Sequence, residues 1–156
     1  MPEHGMSEHR PEGLIKIANT LLERQMNELI SDIFPELTGP QFVIVYYLHE
    51  HRDQDIRQKD IADRFYLSHP TVRGMVKRLT ESGWLAGSSK ADDDRRQVLL
   101  NLTDKAVQCL DREEGRILQA LDTTTGMATK GFSHQDQKTL VSLLRRIITN
   151  MSRTNR

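Results

Sequence analysis

At 156 residues and 18.0 kDa the chain is long enough for one domain with helical extensions and too short for two independent ones. Its 22 Lys plus Arg balance 22 Asp plus Glu, so a polyanionic partner has to be met by a local patch, because the bulk field is neutral. One cysteine, Cys109, excludes an internal disulfide and a multi-cysteine zinc site. With no apolar run near the roughly 18 residues of a membrane span and no signal-peptide pattern in MPEHGMSEHRPEG, the expectation is a cytoplasmic protein without a membrane partner.

Residues 1–10 read as a flexible polar leader, and its His4 and His9 are not taken as a metal site. A first helix is predicted over Glu12 to Ser31, where Leu14, Ile17, Ala18, Leu21, Leu22, Leu29 and Ile30 recur at helical spacing. IFPELTG interrupts it. Thr38 with Gln41 has the form of a capping box and opens a second, largely buried helix through FVIVYYLHEH. His49 and His51 are two positions apart and share no helical face, so they mark the end of that helix and not a metal cluster. A third helix spans about Gln58 to Arg64, and only Tyr66 and Leu67 separate it from Ser68, the spacing of a helix-turn-helix.

The fourth helix is predicted from Ser68 to Ser82. Ser68 serves as cap, Pro70 falls in the first turn and Gly83 follows as the stop. Val72, Met75, Val76 and Leu79 form its inner side. Pro70, Arg73, Gly74 and Lys77, flanked by Thr71 and Arg78, form an outer side with basic groups, a hydroxyl, little bulk and no carboxylate. Two short strands follow, opening at Trp84 and Leu85 and closing over Val98 to Leu102, joined by the charged loop KADDDRRQ as a projecting wing. Thr103 caps a fifth helix with Ala106, Leu110, Ile117 and Leu121 on one side. Ser133 caps a sixth, lined by Leu140, Val141, Leu144, Ile147, Ile148 and Met151.

The expected fold is therefore mainly α with a small β-hairpin wing, a winged helix-turn-helix plus a helical dimerisation layer. Residues 38–102 are the DNA-binding lobe, and residues 11–37 and 103–152 are the dimerisation region, because the terminal helices are apolar and unneeded by the lobe. Charge follows this division. Residues 12–50 carry two Lys/Arg against six Asp/Glu, whereas residues 51–80 carry seven against four.

The outer side of the fourth helix suits a major groove, whose floor offers guanine acceptors to a guanidinium and thymine methyls to small groups. Arg73 is the expected direct reader. Ser68, His69 and Thr71 stand at the end that enters the groove, Pro70 and Gly74 keep the face low, and Lys77 and Arg78 meet phosphates. Arg95 and Arg96, at the wing tip beside Asp94, suit the minor groove, with the carboxylate fixing a rotamer.

TGPQFVIVYYLHEH, the pair QKDIADRF and LSHPTVRGMVKRLTESGWL, and DDDRRQVLLNLT followed by the long helix beginning DKA resemble, over almost the whole chain, the MarR family of winged helix-turn-helix regulators. The resemblance implies a homodimer on a pseudo-palindromic double-stranded operator. It further implies a transcriptional repressor released by a small phenolic or lipophilic effector. Its wing pair corresponds to Asp94 and Arg96, and its recognition residues to Ser68, His69, Thr71 and Arg73. Arg57 departs from the small hydroxylated residue many members have there. Oxidant-sensing members use a cysteine in the N-terminal region, which this chain lacks.

Phe42, Tyr46 and Tyr47 either line an aromatic-accepting pocket for such an effector or fill the core. No catalytic constellation, metal site or cofactor motif is signalled, so an enzyme is not expected. The open alternative is a DNA-binding regulator without a ligand, controlled by abundance or a protein partner.

Overall fold

The computed structural model describes residues 10–87 and 98–153. Among these residues six helices follow in chain order: α1 (Pro11–Ile33), α2 (Gly39–Glu50), α3 (Gln58–Phe65), α4 (His69–Glu81), α5 (Asp104–Ala128) and α6 (His134–Arg153). The chain divides into two compact units, Met1–Ala120 and Leu121–Arg156. The fold is the helical winged-helix type expected, and each predicted helix is present with ends moved by a few residues.

Local chemistry sets most of the helix starts. Thr38 Oγ1 accepts from the Gln41 amide at 3.3 Å while Gln41 Oε1 accepts from the Thr38 amide at 3.0 Å, so two orphan donors of α2 are satisfied reciprocally. Ser68 caps α4 through the Thr71 amide, and Thr103 caps α5 through the Ala106 amide. Gly83, at φ 82°, ends α4 in the left-handed region where a Cβ would be strained. Tyr66 does the same for α3 at φ 52° and ψ 39°, the one non-glycine residue with positive φ among those described. A tyrosine held there costs about 1 kcal/mol relative to an ordinary conformation.

In the first unit the core forms where α1 ends and α2 begins. Phe34 is fully buried, stacks on Phe42 at 6.2 Å between centroids and meets the edge of Trp84 at 5.4 Å. Burying a ring of this size contributes about 2 to 3 kcal/mol. Ile44, Val45 and Leu48 of α2, Ile61 of α3, and Val72, Met75 and Leu79 of α4 complete the lobe's interior, with Leu110 and Ile117 buried on α5. The inner side read from helical spacing on α4 is thus a packed side, whereas Leu14, Ile17, Leu21 and Leu22 of the set read on α1 are exposed.

The expected hairpin is present only at its base among the described residues. Leu85 and Leu102 form an antiparallel bridge, supported by Ala86 N–H to the Asn101 carbonyl at 2.9 Å and Thr103 N–H to the Trp84 carbonyl at 3.1 Å. A third segment joins it: Arg57 bridges Leu99, and the Leu100 amide donates to the Ile56 carbonyl at 2.8 Å. These are single bridges and not extended strands. The connecting loop with Asp94, Arg95 and Arg96 lies outside the described residues.

In the second unit, Ser133 and Asp136 form a reciprocal cap on α6. The Asp136 amide donates to Ser133 Oγ at 3.0 Å and the Ser133 amide to Asp136 Oδ2 at 2.8 Å. These bonds hold the Asp136 carboxyl below the ordinary value of 3.8, the backbone bond from Ser133 acting most strongly. No α6 residue is buried, and Leu140, Val141, Leu144, Ile147, Ile148 and Met151 are all exposed.

Candidate nucleic-acid interface

Helix α4 turns one face inward through Val72, Met75, Val76 and Leu79, and what remains is the exposed basic face. Ser68, His69, Pro70, Thr71, Arg73, Lys77 and Arg78 are exposed and Gly74 is half-buried, so eight of the expected contact residues share one accessible surface. Ser68 Oγ is 2.7 Å from Thr71 Oγ1, which ties the two hydroxyls into the cap at the helix start. Farther along, Lys77 Nζ stands 4.0 Å from Glu81 Oε1 one turn on. The outer side therefore does carry a carboxylate, at its far end, where an i,i+4 pair tethers the lysine.

Gly74 stands in the middle of this face without an internal reason to be glycine. A Cβ placed there would meet only Arg78 Nη2, at 3.8 Å, which is ordinary contact. Mid-helix glycine costs about 0.5 to 1 kcal/mol relative to alanine. Arg73 and Lys77 also border a cleft of about 230 Å³ shared with Gln58, Leu85 and Leu99.

Arg57, open from the sequence, stands where an isolated bridge to Leu99 meets the start of α3. Its amide donates to Asp60 Oδ2 at 2.8 Å, closing the first turn of α3 while its backbone bridges Leu99. The sequence carried no sign of that pairing, because a single bridge needs no run of alternating residues.

The three aromatic residues expected near an effector do not converge. Phe42 is buried and stacks on Tyr46 at 5.5 Å, and Tyr46 in turn approaches His49 at 6.4 Å. Tyr47 belongs to a different cluster, 4.2 Å from the His51 ring and edge-on to Phe65 at 5.3 Å. Burial, with Glu50 and Glu114 nearby, raises the Tyr46 phenol above its ordinary 10.0, so it remains a neutral O–H group at neutral pH.

Between α2 and α5 lies a polar contact that no sequence motif signals. His49, with its side chain 5% exposed, places Nε2 2.7 Å from Asp111 Oδ1, and Arg52 Nη1 stands 3.1 Å from the same nitrogen. Among the described residues no group of His, Cys, Asp and Glu is arranged to hold a metal ion. Cys109 is half-buried on α5 with Arg112 Nη2 3.5 Å from its sulfur.

The MarR family model matches residues 36–97, the segment that builds α2 to α4 and runs toward the hairpin. An organic hydroperoxide resistance transcriptional regulator of Bacillus subtilis is 26% identical over 147 residues, spanning 91% of this chain and 89% of that protein. The solved structure of Bordetella bronchiseptica BpsR, described for regulation of its DNA binding by 6-hydroxynicotinic acid, superposes with a TM-score of 0.69 at 26% identity. It covers 89% of this chain and 93% of its own. The S. aureus MepR-DNA complex shares the fold, with a TM-score of 0.76 at 16% identity over 92% of this chain and 99% of its own.

Proposed function

We propose, from the MarR family model matched over residues 36–97 and the regulator relative that spans most of the chain, that this is a DNA-binding transcriptional regulator of that family, acting as a homodimeric repressor on a pseudo-palindromic duplex. The observation that carries the reading is the face of α4: basic, exposed and lowered at Gly74 with no internal need for glycine. Residues 38–102 form the reading lobe in this proposal. Arg73 engages a base edge in the major groove, Ser68, His69, Pro70 and Thr71 lie against its start, and Lys77 and Arg78 meet phosphates. Asp94, Arg95 and Arg96 are assigned to the minor groove on sequence grounds alone.

Residues 11–37 and 103–152 hold the dimer. Support comes from exposed apolar residues on both terminal helices, Leu14, Ile17 and Leu21 on α1 and Leu144, Ile147, Ile148 and Met151 on α6, an amount that an isolated chain rarely leaves in water. Selection from a random duplex library tests the whole reading. Inverted half-sites about 10 base pairs apart between centres are expected, and recovery of no inverted repeat would sink it.

Release by a small phenolic or lipophilic ligand is the finer part of the proposal, supported by the related BpsR whose DNA binding is regulated by 6-hydroxynicotinic acid. A second reading, regulation without a ligand, is favoured by the separate clusters of Tyr46 and Tyr47 and by the burial of Phe42. Operator titration in the presence of aromatic acids separates the two, because a releasing ligand lowers operator affinity and an irrelevant one leaves it unchanged. Hydroperoxide resistance stays with the Bacillus relative, since the single cysteine here, Cys109, lies on α5.

A further inference from the structure

Tyr66 contradicts its backbone. At φ 52° and ψ 39° it occupies the left-handed region that suits glycine or asparagine, and a bulky ring there is a real outlier. Packing does not explain it. Its side chain is 67% exposed and makes no ring contact or hydrogen bond among the described residues, whereas Tyr46, Tyr47 and Phe65 nearby all stack or meet edge-on. A residue opposed by local conformation and unused by the core is held for something outside the chain.

Its place says what that is. Tyr66 is the C-cap of α3 and stands two residues before Ser68, the cap of α4, so it borders the start of the basic face. Exposed Arg64 on the preceding turn lies over the Phe65 ring, 5.8 Å from its centroid, which leaves the Tyr66 phenol as the neutral, directional donor at this corner. We propose that the Tyr66 phenol donates a hydrogen bond to a backbone phosphate beside each half-site and so fixes the register at which α4 enters the groove. The proposal rests on the reading of α4 as the DNA-contacting helix. A contact of this kind positions the protein without reading sequence, and an uncharged donor releases no counterion.

The test uses the full chain on its selected duplex, with Tyr66→Phe, Tyr66→Gly and Tyr66→Asn. Tyr66→Phe keeps ring and backbone, and it should weaken binding to specific and non-specific duplexes alike by about tenfold for each half-site contacted, the lower end for a hydrogen bond to a charged acceptor. Its salt slope and melting temperature should match the unsubstituted protein. Tyr66→Gly and Tyr66→Asn should bind as weakly while melting no lower, because both suit the left-handed region.

Replacing single phosphates by neutral methylphosphonates should reveal one position per half-site that weakens the unsubstituted protein and leaves Tyr66→Phe unaffected. Equal affinity of Tyr66→Phe, a changed base preference, or the absence of any such phosphate would overturn the assignment. Lower melting of both Tyr66→Gly and Tyr66→Asn would overturn it too, by showing that the ring is structural. If the unsubstituted protein selects no duplex, the reading of α4 falls and this anchor with it. If it selects one and Tyr66→Phe binds equally, the anchor alone falls.

Discussion

His49 and Asp111, 62 positions apart in sequence, meet at 2.7 Å and join the last turn of α2 to α5. The imidazole is buried while the carboxylate is half-open to water, so the aspartate is the histidine's route to a polar partner from another helix. Asp111→Ala leaves a buried ring nitrogen with Arg52 alone and should cost about 1 to 2 kcal/mol in urea unfolding. Asp111→Asn keeps an acceptor and should cost less. Equal stability of all three proteins would show that Arg52 suffices.

The same contact marks what the sequence did not disclose. The caps at Thr38, Ser68, Thr103 and Ser133 were legible because a cap is a local relation, complete within three residues. The inner side of α4 was legible because helical spacing repeats, and the burial of α2 because apolar and aromatic residues are dense along it. His49 with Asp111, and Arg57 with Leu99, join distant segments through single contacts and have no period to reveal them. Tyr66 was hidden for another reason: the usual sign of a left-handed residue is glycine or asparagine, and this turn has neither. On the interface, the exposed set on α4 was readable from spacing alone. The Lys77 pairing with Glu81 has the same i,i+4 spacing and was equally readable, but the outer side was drawn only as far as Arg78.

Gly74 sets stability against recognition. Because a Cβ there meets nothing closer than Arg78 Nη2 at 3.8 Å, Gly74→Ala should fit the folded chain and stabilise it by about 0.5 to 1 kcal/mol. Operator affinity should fall, since the added methyl stands between the helix and the groove. Thermal melting and operator titration on the same protein give the two signs, and a variant that is both more stable and equally tight would remove close approach as the reason for this glycine.

The cap of α6 should be sensitive to acid. The Asp136 carboxyl lies below its ordinary value through its bonds to Ser133, so its protons are bound more weakly in the folded chain than in the unfolded one. Its contribution is therefore complete above the unfolded value near 3.8 and is lost as pH falls through the lower folded value. Exchange of the Ser133 amide should accelerate in that acid range. In Asp136→Asn, which has no carboxylate to titrate, the acceleration should be absent; the same acid response in both proteins would assign it to another group.

Arg73 and Lys77 lie one turn apart on the same exposed face and should fail differently. A guanidinium that donates to a guanine edge makes a contact only the right base can complete, so Arg73→Ala should lose about 1 to 3 kcal/mol of discrimination at one position in each half-site. A lysine that meets phosphate does so on any sequence, so Lys77→Ala should weaken all duplexes evenly and reduce the salt slope by about 0.9 for each phosphate no longer neutralised. The tether adds a third variant. Glu81 stands 4.0 Å from the Lys77 ammonium, and Glu81→Gln removes both that competitor and a negative charge from the basic side of α4. Binding should tighten on every sequence, more at low salt than at high, provided Lys77 is present. In the Lys77→Ala background the same change should help less, because only the general repulsion is relieved. Titrations of these variants and the double substitution against matched and mismatched duplexes at several salt concentrations decide both roles: losses at Arg73 that are equal on every sequence would make it a phosphate contact, and strictly additive effects of Lys77 and Glu81 would show that their ion pair has no influence on binding.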